Sequence, residues 1–208
     1  MKREIEIKVP NDWSAVTLRE YIRLSNDLQN YEGDDEAITA TLFHHLAKFD
    51  VRMLKDLDVE TYTAIKEKLY SFLQNTNYPI QREIDIDGVK YGFEPNLSQM
   101  AYGAYVDISK YDKLEINDKW AEVMSILYRP IIKRYGKLYD IIPYEGLIDS
   151  ELFLDVTMDV HFGCLFFFVN LSKDLWHSTL SSLMQTSPEL VPHKLKSILE
   201  RSGNPTLP

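Results

Sequence analysis

The run from Ile84 to Phe93 constrains this chain more than any other stretch. Ile84 and Ile86 alternate with Asp85 and Asp87, and then Val89, Tyr91 and Phe93 alternate with Lys90 and Gly92. A period of two places one apolar and one polar face on each segment, as half-buried strands require. Between the two runs stands Asp87-Gly88, a pair that tolerates the positive φ angles of a tight type I′ turn. A β-hairpin is therefore predicted here. Gly92 inside the second strand implies a bulge or a close backbone approach. Pro95 and Asn96 end that strand.

Helical spacing dominates elsewhere. Thr17-Leu18-Arg19-Glu20 reads as a capping box, opening a helix with Leu18, Tyr21, Ile22 and Leu28 near one face. A second helix is predicted from about Asp35 to Lys48, with Ile38, Leu42, Phe43 and Leu46 on its stripe. Asp50 or a nearby residue caps a short turn holding Val51, Met53, Leu54 and Leu57. Asp58 starts a third helix carrying Tyr62, Ile65, Leu69, Phe72 and Leu73. Short loops join the three into a packed unit.

Gly103 to Leu114 is predicted as a short helix with Tyr105, Val106 and Ile108 partly buried. A further helix runs from Lys119 to about Tyr128, with Pro130 ending or kinking it. Leu138 to Tyr144 reads as extended. From Ser150 to Gln185 the pattern is helical again, apolar nearly all round between Phe162 and Val169, which places that helix centrally in its bundle. Glu4 to Val9 alternates like a strand, and a last short helix is expected from Ser187 to about Arg201.

The expected fold class is thus mainly α: a compact helical bundle with a small β-hairpin, plus an N-terminal strand. Residues 1–79 form the strand and first helical unit, and 80–200 the hairpin with a C-terminal helical core, together one integrated domain. Residues 201–208 form a mobile tail.

The totals narrow the function classes. At 208 residues the chain is long enough to bury about 70% of its unfolded surface, so it needs no metal or disulfide to hold a core. Its formal charge of −9 argues against nucleic acid and against an anionic membrane as partners. One cysteine, Cys164, excludes an internal disulfide and a cysteine-based zinc site; set among Phe162, Phe166 and Phe167, it reads as a buried inert thiol. The apolar run there is far short of the about 20 residues of a membrane span, and Met1 to Glu6 lacks a signal-peptide core. A cytoplasmic origin is the expectation.

Chemistry is sparse. His44 and His45 are adjacent on a helix and point about 100° apart, so they do not face one metal together. His161, His177 and His193 are scattered. Asp85 and Asp87 share a strand face, and Asp155 and Asp159 lie one helical turn apart; both pairs read better as solvated carboxylates than as acid–base machinery. Nucleophile motifs and glycine-rich phosphate loops are absent. No catalytic, cofactor or metal site is expected, and the protein is read as a non-enzyme. Lys133, Arg134 and Lys137 make one small basic patch, whose default role is a salt bridge or a complement to a helix C-terminus. Aromatic residues concentrate in the middle third: Tyr91, Phe93, Tyr102, Tyr105, Tyr111, Tyr128, Tyr135, Tyr139 and Tyr144. Core packing accounts for many, and any left exposed suit a protein-binding surface.

One further pattern carries a resemblance. Tyr91-Gly92-Phe93-x-Pro95-Asn96-Leu97-x-x-Met100, then Gly103-x-Tyr105-x-Asp107, then Leu127-Tyr128-Arg129-Pro130-Ile131 resembles small proteins of tailed bacteriophages, described as tail assembly chaperones or tail and virion proteins. The helical segments Leu42 to Phe49, Val51 to Leu57 and Tyr62 to Phe72, and the apolar run Phe162 to Leu171, are similar in layout, so the likeness spans about residues 14–172. It implies a helical viral protein that binds a tape-measure or other tail protein in the host cytoplasm during assembly, with a stoichiometric virion component in the tail, baseplate or connector as the alternative; a small enzyme is the minor alternative reading of the chain. Self-association is compatible with either. The residues singled out for partner binding or as family signature are Tyr91, Phe93, Pro95, Met100, Tyr105, Asp107, Tyr128, Arg129 and Pro130. Arg129 is expected to set its guanidinium against a helix-end carbonyl or a carboxylate such as Asp107.

Overall fold

The computed structural model describes residues 7–111, 115–146 and 149–186. The chain falls into two compact units, Met1–Phe166 and Phe167–Pro208. In the first, the capping box forms as expected: Thr17 and Glu20 reciprocally satisfy early amides of α1 (Leu18–Gln29). Aspartates start the next helices, Asp34 capping α2 (Asp35–His45) and Asp58 capping α3 (Val59–Gln74), with Asp50 capping a 3-10 turn between them. Trp13, in a 3-10 turn before α1, anchors this part. It is buried, with Tyr21 and Phe162 edge-on to its ring at 5.7 and 5.2 Å and Phe72 tilted against it at 4.4 Å.

The hairpin also forms. β1 (Glu83–Ile86) pairs antiparallel with β2 (Val89–Phe93) through the two-residue turn Asp87-Gly88, whose φ angles of 51° and 80° are both positive, as a type I′ turn needs. After β2 come α4 (Tyr102–Ile108) and α5 (Trp120–Leu127). Strand β3 (Tyr128–Tyr135) then follows α5 with no residue between them, and β4 (Leu138–Ile141) folds back on it. The turn there is Gly136-Lys137, with positive φ at Gly136 alone, as in the type II′ family. The four strands make one antiparallel meander in the order β1-β2-β3-β4.

This overturns the expectation of a mainly α bundle with a small hairpin: the fold is mixed α+β, with a four-stranded antiparallel sheet. Proline explains the misreading. Pro130 reads as the end of a helix, yet it lies inside β3 opposite Tyr91. Its carbonyl accepts from Ile142 N at 2.9 Å, just past the end of β4. Its imide nitrogen faces that same edge, where the ladder ends on this single bond and the reciprocal donor is the one a proline lacks.

A 3-10 turn over Ser150–Asp155 precedes α6 (Met158–Thr186). The starts of α1 and α6 are tied by an isolated antiparallel bridge, Thr17 with Thr157, closed by Leu18 N to the Val156 carbonyl at 3.0 Å and Met158 N to the Val16 carbonyl at 2.8 Å. The first turns of α6 are core, with Met158, Phe162 and Cys164 buried. Leu165 and Phe166 are only half-buried, which departs from the central, fully apolar helix expected. In the second unit, Phe167 and Phe168 are half-buried and Val169 is exposed. Of the N-terminal strand, residues 1–6 lie outside the described residues, and Ile7, Lys8 and Val9 take no strand conformation. The helix from Ser187 and the tail 201–208 also lie outside the described residues.

Candidate partner-binding surface

The nine signature residues divide into scaffold and surface. Tyr91, Phe93, Tyr128 and Arg129 are buried; Met100, Asp107 and Pro130 are half-buried; Pro95 and Tyr105 are exposed. The alternation of β2 explains the first group, since Tyr91 and Phe93 share the face turned to the core. Phe93 meets Tyr128 edge-on at 5.3 Å, and Tyr91 meets Phe153 at 5.9 Å. The Tyr128 hydroxyl donates to the Gln81 carbonyl at 2.6 Å, and burial raises that phenol far above its ordinary range.

Gly92 shows the close approach its position predicts. A Cβ there would lie 2.4 Å from the Tyr139 ring. That ring crosses the strand so that its hydroxyl reaches both the Arg82 and the Phe93 carbonyls at 2.8 Å.

Arg129 does find a carboxylate, but it is Glu94 rather than Asp107. Both are buried, and Nη2 of Arg129 binds Oε2 of Glu94. The guanidinium also lies over the Tyr144 ring, 5.8 Å from its centroid, while Nε and Nη1 have no hydrogen-bond partner among the described residues. Removing either member of such a pair strands a buried charge, so the pair fixes geometry more than it adds stability. Asp107 instead accepts from Lys110 at 2.5 Å and from the Tyr144 hydroxyl. Those two bonds hold its carboxyl below the usual range, and burial together with Asp107 pushes the Tyr144 phenol up to about 12. Tyr144 thereby links α4 to the end of β4: its ring also rests against Gly103, 3.6 Å from where a Cβ would stand.

What α4 turns outward is aromatic. Tyr102 is 80% and Tyr105 62% exposed, and three residues apart on a helix they are neighbours. Tyr105 was expected to be partly buried; Ala104 takes the inward place instead. On the β3–β4 hairpin, Ile132, Tyr135 and Leu138 are exposed as well. Of the nine aromatics concentrated in the middle third, only Tyr102, Tyr105 and Tyr135 are exposed. Sequence reasoning grouped Tyr102 with the others but did not select it. Its place one position before Gly103, at the first turn of a short helix, was the available signal.

The acidic pairs meet in one cleft. Asp85 and Asp87 line the same cavity, of about 610 Å³, as Asp155 and Asp159. Each has structural work within hydrogen-bond reach: Asp85 pairs with Lys90 at 3.0 Å and accepts from Gly88 N, Asp155 pairs with Arg19, and Asp159 accepts from Gln81 and Thr157 at 2.6 Å. Lys90 and Arg19 hold the Asp85 and Asp155 carboxyls below their ordinary range, away from the near-neutral values a general base uses. Asp87 supplies the turn. Among the described residues no three His, Cys, Asp or Glu side chains are placed to hold a metal ion, and no helix is long and apolar enough to cross a membrane. No family model matches the chain, and no curated protein or solved structure matches it either.

Proposed function

We propose that this chain is a non-enzymatic assembly protein of a tailed bacteriophage, chaperone-like in action, that binds a helix-rich tape-measure or other tail protein in the host cytoplasm. The observation that carries this reading is the outward pair Tyr102 and Tyr105 on α4. Large amphipathic rings held outward on a short helix give contact area at low entropic cost, the usual make-up of a protein-binding hot spot. The buried signature residues Tyr91, Phe93, Tyr128 and Arg129 then serve as scaffold for the sheet, while the half-buried Asp107, bonded to Tyr144, fixes the angle of α4 against it.

Co-expression with the tape-measure protein of the same genome tests the reading. The wild-type chain should keep that protein soluble and co-elute with it. The double substitution Tyr102→Ser, Tyr105→Ser should weaken capture at least about tenfold while leaving the circular dichroism spectrum unchanged. A tape-measure protein that neither co-elutes nor gains solubility would sink the proposal. Mass spectrometry of purified particles separates transient from permanent use of the surface, because a chaperone is scarce in the mature virion and a structural component is stoichiometric.

A further inference from the structure

The cavity between α1, the end of α2 and the 3-10 turn at Val51–Asp56 has a different chemistry from the rest of this acidic chain. Its volume is about 630 Å³, and Arg23, His44, His45, Lys48 and Arg52 line it, with Phe49. Two carboxylates share the lining, Glu20 and Asp50. Both are already committed. Lys48 Nζ meets Glu20 at 2.6 Å, and the Arg52 fork meets Asp50 at 2.7 Å. Burial raises the Glu20 carboxyl, but Lys48 and the Thr17 bonds outweigh it and leave it lowered; the Arg52 bonds bring Asp50 down to about 2. Asp27, just outside the lining, pairs with His45 Nε2 at 2.7 Å.

Donors are left over. Among the described residues Arg23 makes no hydrogen bond or ion pair, Nη1 of Arg52 has no partner, and the His44 ring lies edge-on to that of His45. Lys48 sits at a φ of +52°, a left-handed conformation that favours glycine. The chain nevertheless carries an ammonium group there, turned to the cavity.

From this convergence we infer that the cavity binds a tetrahedral dianion, the phosphate group of a small molecule. The Arg23 guanidinium, Nη1 of Arg52 and the hydrogens that Lys48 Nζ does not give to Glu20 supply the charge-assisted donors such an oxyanion takes. This inference is independent of the partner-binding reading.

Inorganic sulfate is the probe. Titrated into the full chain, it should shift the His44 and His45 ring resonances saturably. Arg23→Ala should weaken binding about tenfold or more without altering thermal stability, since Arg23 is exposed and unpaired, and Arg23→Lys should restore part of the loss. Displacement of sulfate by inorganic phosphate or by glycerol phosphate then tells a free ion from a phosphate ester, and either supports the assignment. Shifts that do not saturate, or affinity unchanged in Arg23→Ala, would each overturn it.

Discussion

His161, on the first turn of α6, sits with no exposed surface. Its Nδ1 accepts from the Trp120 indole at 3.2 Å, which leaves the proton on Nε2, facing the Val156 carbonyl at 3.3 Å. Burial pushes its pKa down to about 4. In the unfolded chain an imidazole takes up a proton near pH 6.5, so between those values the unfolded state holds more protons than the folded one. Stability is therefore complete above about pH 6.5 and falls as pH falls. The loss approaches about 3 kcal/mol near pH 4 and levels off below it. Urea midpoints measured across that window should show the slope in the native chain and a flatter profile in His161→Gln; a native chain insensitive to pH between about 6 and 4 would rule out a buried neutral His161. At this scale the sequence was partly legible. It marked Cys164 as a core thiol, but left His161 among scattered histidines, because nothing nearby announces an indole 41 positions away.

Two glycines decide how closely elements pack. At Gly163, on α6, a Cβ would stand 2.5 Å from the Pro79 carbonyl oxygen and 3.3 Å from the Ile80 Cα, so the helix lies directly on backbone that has nowhere to go. At Gly92 the obstacle is the Tyr139 ring, which cannot swing aside without giving up both of its carbonyl bonds. Gly92→Ala and Gly163→Ala should each destabilise by about 1–3 kcal/mol, as overpacking does. Gly103→Ala, on α4, meets nothing closer than 3.6 Å and should stabilise by about 0.5–1 kcal/mol through helix propensity. Denaturant unfolding of the three variants checks the order, and a neutral Gly163→Ala would refute the tight approach. Gly92 was readable, since a lone glycine in an alternating strand has few other uses. Strand β3 was not. Its residues follow a helix directly and include a proline, so local propensity points away from the pairing that Tyr91 and Phe93 impose on it.

At the scale of the whole molecule, the hairpin and the first three helices follow from local chemistry: caps, a turn pair and periodicity. The fold class did not, because it depends on β2 finding β3 across the intervening α4 and α5. Exposure also belongs to this scale. Tyr105 and Tyr128 look alike in the sequence, yet one is mostly exposed and the other fully buried. Cys164 offers a global reading of stability, being fully buried with its thiol raised by desolvation. Thiol reagents should label the native chain at least about a thousandfold more slowly than the denatured one, with labelling accelerating in step with unfolding by denaturant. Immediate labelling of the native protein would mean that the core around α6 opens locally.

The junction at Leu127–Tyr128, where α5 becomes β3 without a connecting residue, bears on how such a chain can change over generations. One residue inserted there would rotate the inner stripe of the helix by about 100° relative to the strand, or else turn the strand over and exchange its two faces. Trp120 and Met124 could not then stay buried while Tyr128 and Arg129 kept their places. Relatives of this protein should accordingly vary in length between Pro95 and Lys119 or beyond Ile141, and hold the count from Trp120 to Tyr135 fixed.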